Sequence, residues 1–189
     1  MEKLYIKNMM SKCCTTIIRN LLESNNIKVL FINLGYAEVI FLDNSPSFKE
    51  LDKILRKLGF GLVVSREKRI VEQTKIAVIE LIHLMNNVNS IVQKTDYLVE
   101  KLNLSYQQLS KLFSKYENTT LEKFIIQNKI ERIKELIDSD EFTLSEIAYM
   151  MDYSSVQYLS SQFKKETGIT VSEYKKDPRR VRIALEDLL

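Results

Sequence analysis

Cys13 and Cys14 stand side by side in NMMSKCCTT, residues 8–16, and the chain has no other cysteine. Thiolates are soft ligands that select soft ions such as monovalent copper. Neighbouring cysteines cannot staple a fold, so the pair supplies no disulfide framework and reads as a site for a soft, copper-like metal ion, a redox pair or a leftover. His83, the single histidine, falls beside Leu81, Leu84 and Met85 without a second imidazole or a thiol nearby, and reads as structural. A different chemistry comes from amides, hydroxyls and ammonium groups. On a helical wheel Gln107, Ser110, Lys111 and Ser114 lie opposite Leu109, Leu112, Phe113 and Tyr116. Gln157, Ser160, Ser161 and Lys164 lie opposite Leu159 and Phe163 in the same way. Glutamine can pair in bidentate fashion with adenine, lysine can reach guanine or phosphate, and serine adapts to either. The chain has no glycine-rich phosphate loop, no second histidine and no recognisable carboxylate pair, which speaks against an enzyme.

Elements must position these groups, and the composition favours helices. Only four glycines and two prolines in 189 residues argue against a loop-rich all-β fold. With 45% hydrophobic and 28% charged residues the chain can bury one medium core or two small ones. The apolar segment of a signal peptide is missing after Glu2 and Lys3, and no run of about 18 apolar residues occurs. The expected location is the cytoplasm.

Residues 1–64 alternate strand and helix signals. Lys3–Asn8 reads as a strand, and Ser11–Ser24 carries Ile17, Ile18, Leu21 and Leu22 at helical spacing. Ile27–Leu34 and Tyr36–Asp43 read as strands around Gly35. Ser47 and Glu50 form a capping box for a helix striped by Phe48, Leu51, Ile54, Leu55 and Leu58. Gly61–Ser65 closes as a strand. The order is βαββαβ, an α+β, ferredoxin-like arrangement. REKR at 66–69 opens a linker or the start of a long amphipathic helix running to Val88.

Beyond it the chain repeats itself. A shift of 50 residues takes Leu109-Ser110 to Leu159-Ser160, Phe113 to Phe163 and Phe124 to Tyr174, whereas just upstream a shift of 49 takes Asn103 to Asp152. Each unit reads as helix, tight turn, helix: Asp96–Leu102 then Ser105–Tyr116, and Leu144–Met151 then Ser154–Thr167. Asn103 and Asp152 suit a left-handed turn. Ser105 with Gln108, and Ser154 with Gln157, are the expected capping boxes. Leu121–Asp138 bridges the units. Two helix-turn-helix units in an all-α domain suit double-stranded DNA, with phosphate contacts from helix N-termini and from Lys115, Lys164 and Lys165. Residues 95–189 carry a net charge of −2 against +5 for residues 1–94, so this expectation rests on pattern and not on bulk charge.

Ser145–Tyr174, SEIAYMMDYSSVQYLSSQFKKETGITVSEY, resembles the second half of an AraC/XylS-type DNA-binding domain, and Asp96–Phe124 resembles its first half. The resemblance covers residues 73–177 and implies a transcription regulator that inserts two recognition helices into adjacent major grooves. Carried over by position, it implies base contacts from Gln107, Ser110 and Lys111, then from Val156, Gln157, Tyr158 and Ser161. Asn103 and Asp152 stand where glycine is usual, and Ser161 where arginine is frequent.

The first half, residues 1–65, resembles a heavy-metal-associated domain, whose G-M-x-C-x-x-C loop grips a soft ion. Asn8-Met9-Met10-Ser11-Lys12-Cys13-Cys14 matches it at Met9 and Cys14, with Asn8 for glycine and Ser11 for the first cysteine. Metal sensing through Cys13 and Cys14, binding of another small-molecule or protein signal, and a purely structural or pairing role are the open alternatives. For the whole chain the rival is a metallochaperone-like protein whose helical half serves protein interaction. The tail, 178–189, with RRVRIALEDLL, reads as a docking or pairing helix.

Overall fold

Leu4 and Ile6 alternate with half-exposed Tyr5 and Lys7 along β1 (Glu2–Lys7), the period that buries one face of a strand. The computed structural model describes residues 1–84, 94–177 and 182–183. β1 stops one residue earlier than the sequence suggests, because Asn8 turns left-handed (φ 65) and its side-chain amide donates to the Gly59 carbonyl at 2.8 Å. Next come α1 (Lys12–Ser24), β2 (Ile27–Asn33), β3 (Tyr36–Phe41), α2 (Phe48–Arg56) and β4 (Gly61–Leu62). The sheet runs β2-β3-β1-β4 with every neighbouring pair antiparallel. Ile18 and Leu22 of α1, and Leu51 and Leu55 of α2, join the buried residues of the strands in one cluster, so both helices cover one face.

Several boundaries shift for local reasons. Phe48 and Leu58, expected in the stripe of α2, are half exposed. Phe48 is the first helical residue and leans on Phe41, with ring centroids 5.4 Å apart, while Leu58 lies in the turn beyond the helix. β4 has two residues, not five: Val63 still donates its N–H to the Tyr5 carbonyl at 2.8 Å, but Val64 faces solvent. The capping box of Ser47 and Glu50 forms as read.

The segment read as a linker or helix start, 66–72, is helical from its first residue. α3 (Arg66–Ile79) runs into a π-helical turn, Glu80–Leu84. Residues Thr74 through Ile79 are all buried, the pattern of a helix covered on every side. Ile76 presses on the β2–β3 turn, where left-handed Gly35 (φ 81) leaves no room for a Cβ. Val71, Ala77 and Val78 enter a second, helical core. Arg69 stacks its guanidinium 4.3 Å from the Tyr5 ring and donates to the Val63 carbonyl at 3.1 Å. The far end of the expected long helix and the tail helix lie outside the described residues, apart from Arg182 and Ile183, which meet Glu135 and Glu131.

The helical core is built by α4 (Lys94–Leu102), α5 (Tyr106–Tyr116), α6 (Leu121–Ser139), α7 (Leu144–Met150), α8 (Val156–Thr167) and α9 (Val171–Lys176). The repeat is visible in its rings: the Phe113 and Phe124 centroids lie 5.2 Å apart, tilted, and those of Phe163 and Tyr174, fifty residues on, 5.6 Å apart, edge to face. Both α5 and α8 pack against α6. Among the described residues no helix is long and apolar enough to cross a membrane.

Candidate nucleic-acid interface

The first unit turns at Asn103, which is left-handed (φ 53). Ser105 caps α5: its Oγ accepts the Gln108 N–H at 3.3 Å, and Gln108 Oε1 accepts the Ser105 N–H at 3.0 Å. The amide of Gln108 is therefore spent on the cap. Gln107, Lys111, Ser114 and Lys115 are exposed on α5 and Ser110 is half-buried, while Leu109 and Phe113 are buried.

The second unit turns at Asp152 (φ 56). Here the expected cap is corrected. Ser155, not Ser154, caps α8, accepting the Tyr158 N–H at 3.1 Å, and no reciprocal bond from Gln157 is made. The Tyr153 N–H reaches back to the Ala148 carbonyl at 2.8 Å, and Tyr153 and Ser154 separate left-handed Asp152 from its cap where unit one has Leu104 alone. Ser154 is thus the inserted residue that changes the repeat shift from 49 to 50. With Ser105 and Ser155 equivalent, Gln107 matches Gln157, Ser110 matches Ser160 and Lys111 matches Ser161. Tyr158 takes the place of the capping Gln108 and is left facing solvent, 57% exposed, its ring 5.8 Å from that of Tyr153. Burial then pushes the Tyr153 hydroxyl up to about 12. Gln157, Ser161, Lys164 and Lys165 are exposed on α8, and Val156 is half-buried.

Lys115, expected on phosphate, is engaged within the chain. Its ammonium lies 2.6 Å from Glu67 Oε2, and the Tyr116 hydroxyl donates to the same oxygen. Hydrogen bonding from Lys115 and then Tyr116 holds the Glu67 carboxyl below its ordinary value. The side chain of His83 is 5% exposed, with Nδ1 3.6 Å from Glu135 Oε2, a packing position. Phe124 and Tyr174 are core residues, as their matched places suggest.

Cys13 and Cys14 occupy the first turn of α1, separate from this face. Cys13 is exposed, and Cys14 packs on the sheet core with its Sγ 3.6 Å from Ser11 Oγ. Successive helical residues diverge by about 100°. Met9 is fully buried and Asn8 is held by Gly59. Among the described residues no three His, Cys, Asp or Glu side chains gather as a metal cluster. The residues present do not form a two-thiolate grip within one chain.

Sequence reasoning missed Ser155 as the cap of α8 and Glu67 as the partner of Lys115. The 50-residue register points to the first, since it carries Ser105 onto Ser155. Nothing local points to the second.

Two capped turns, each followed by a helix with a polar face, make a helix-turn-helix class of module. Residues 98–177 match the family described as "Helix-turn-helix domain". The chain is 31% identical over 102 residues to the "Xylose operon regulatory protein" of Escherichia coli strain K12, covering 54% of this chain and 26% of that protein. It is 25% identical over 128 residues to the "Msm operon regulatory protein" of Streptococcus mutans, covering 68% and 46%. The C-terminal domain of AraT, a response regulator from Geobacillus stearothermophilus, superposes with a TM-score of 0.48 at 25% identity, covering 64% of this chain and 92% of that one. The matched region is thus only about a quarter to a half of the length of these curated relatives.

Proposed function

We propose that the chain is a sequence-specific DNA-binding transcription regulator and that α5 and α8 are its reading helices. The observation that carries this is the pair of matched polar faces, each set after a left-handed turn and a serine cap. Base contacts come from Gln107, Ser110 and Lys111 on α5, and from Val156, Gln157, Tyr158 and Ser161 on α8. Lys164 and Lys165 serve phosphates, and Lys115 does so by leaving Glu67. The net −2 of residues 95–189 supplies little general attraction to DNA, so affinity rests on these contacts. On this reading the chain binds and does not catalyse, and it works in the cytoplasm.

The N-terminal unit, residues 1–65, is read as a ferredoxin-like sensory or interaction domain. Its element order β1-α1-β2-β3-α2-β4 and the antiparallel order β2-β3-β1-β4 support that reading. A soft metal ion is not assigned to it, because Ser11 holds the place of the first thiolate and Met9 is in the core.

Footprinting on DNA upstream of the chain's own gene tests the proposal. The expected result is two protected segments about 10 base pairs apart, one helical turn. A folded protein without sequence preference at moderate salt would overturn it.

A further inference from the structure

A cleft of about 640 Å³ opens where the end of β1 and α2 meet the β4–α3 junction and the last turn of α5. That volume is in the range of small-molecule sites. Lys7, Arg56 and Lys68 line it with positive charge. Asp52 already takes the Arg56 guanidinium at 2.7 Å, which makes Lys7 and Lys68 the principal cations toward a ligand. At the buried end Lys75, 4% exposed, holds Glu117 Oε1 at 2.7 Å and Glu72 Oε1 at 3.1 Å. The other oxygen of Glu72 is buried and has no hydrogen-bond partner among the described residues. A buried acceptor without a donor is costly, and a ligand hydroxyl removes that cost once Glu72, a lining residue, turns this oxygen into the cleft.

We propose that this cleft binds a small phosphorylated polyol, its phosphate held by Lys7 and Lys68 and a hydroxyl donating to Glu72 Oε2. Three cations lining one cleft suit a dianion, and charge-assisted hydrogen bonds are the strong ones. Glu117 ends α5, donating its N–H to the Phe113 carbonyl at 2.8 Å, while its carboxylate shares Lys75 with Glu72. A ligand drawing on this network acts at the end of the first reading helix. That consequence rests on the regulator reading above; the binding itself does not, so its test contains no DNA.

The full chain is titrated by calorimetry with glycerol 3-phosphate and, separately, with inorganic phosphate. Glycerol 3-phosphate should bind saturably and about tenfold more tightly than phosphate, the gain of one hydrogen bond to a charged group. The Lys7→Gln/Lys68→Gln variant should lose about tenfold or more, while Lys28→Gln/Lys49→Gln, exposed lysines elsewhere, should not. Melting curves establish that both variants are folded. Absence of saturable binding up to about 10 mM, or binding unchanged in Lys7→Gln/Lys68→Gln, overturns the site. Equal affinity for the two probes overturns the role of Glu72.

Discussion

Lys115 holds its ammonium 2.6 Å from the carboxylate of Glu67, tying the last turn of α5 to the first turn of α3. A lysine proposed above for phosphate contact is thereby kept on its own chain. Glu67→Gln should release it. The slope of log affinity against log salt for DNA binding should then steepen by about one unit, the signature of one added phosphate contact. Fluorescence anisotropy across a salt series measures this, and an unchanged slope removes Lys115 from the interface.

Lys111 and Gln157 are exposed and face away from the core. Lys111→Ala or Gln157→Ala should weaken specific binding by about 1–3 kcal/mol and leave the melting temperature intact. A variant that melts earlier would show that its side chain packs inward, contrary to the wheel.

Ser154 and Ser155 are neighbours with opposite expected effects. Ser155 accepts the Tyr158 N–H and caps α8, so Ser155→Ala should cost about 1 kcal/mol of stability. Ser154→Ala should change little, because that residue only lengthens the turn. Urea unfolding of the two variants decides between the caps; equal losses would mean that the turn is shared.

Glu135 predicts a pH dependence. Burial pushes its carboxyl upward, but hydrogen bonds from His83 and Arg132, with the charges of His83 and Arg182, outweigh burial and bring it from 4.5 to about 2. A carboxyl depressed by folding adds stability above its unfolded value and loses it as pH falls toward the folded one. Glu135→Gln should therefore be less stable at neutral pH, by roughly 1 kcal/mol after allowing for solvent screening of a partly exposed group. The two melting curves should converge as pH drops from 4.5 to about 2. A gap that persists at the acid end would assign the loss to packing.

Cys13→Ser/Cys14→Ser should leave DNA binding unchanged. Native mass spectra with added silver should show no stoichiometric ion held by these thiols in the monomer. A retained silver ion that disappears in the variant would restore the soft-metal reading.

Features set by a few adjacent residues were legible in the sequence. The boxes at Ser47–Glu50 and Ser105–Gln108, the turns at Asn103 and Asp152, and the paired rings of Phe113–Phe124 and Phe163–Tyr174 all depend on spacing along one or two turns. The cap of α8 was not, because two successive serines satisfy the same local pattern. The backbone distinguishes them: Ser155 is extended (φ −163, ψ 160) and accepts the Tyr158 N–H, and the helix begins at Val156. Nor was the engagement of Lys115, or the cleft joining Lys7, Lys68, Glu72 and Glu117, since tertiary packing alone brings such distant positions together. Phe48 and Leu58 misled for a simpler reason: helical periodicity continues on paper past the point where the backbone stops being helical.

The close fit of Ile76 on Gly35 makes α3 a partition wall with tenants on both sides. A chain cut at residue 65 to isolate the helix-turn-helix units would strip the cover from Ile76 and take Tyr5 away from Arg69. The transferable piece of this protein is therefore not its helical half alone. A graft onto another protein must bring the small sheet with it or supply a replacement surface for α3, and a recombination joint placed at this border would break a shared structural member.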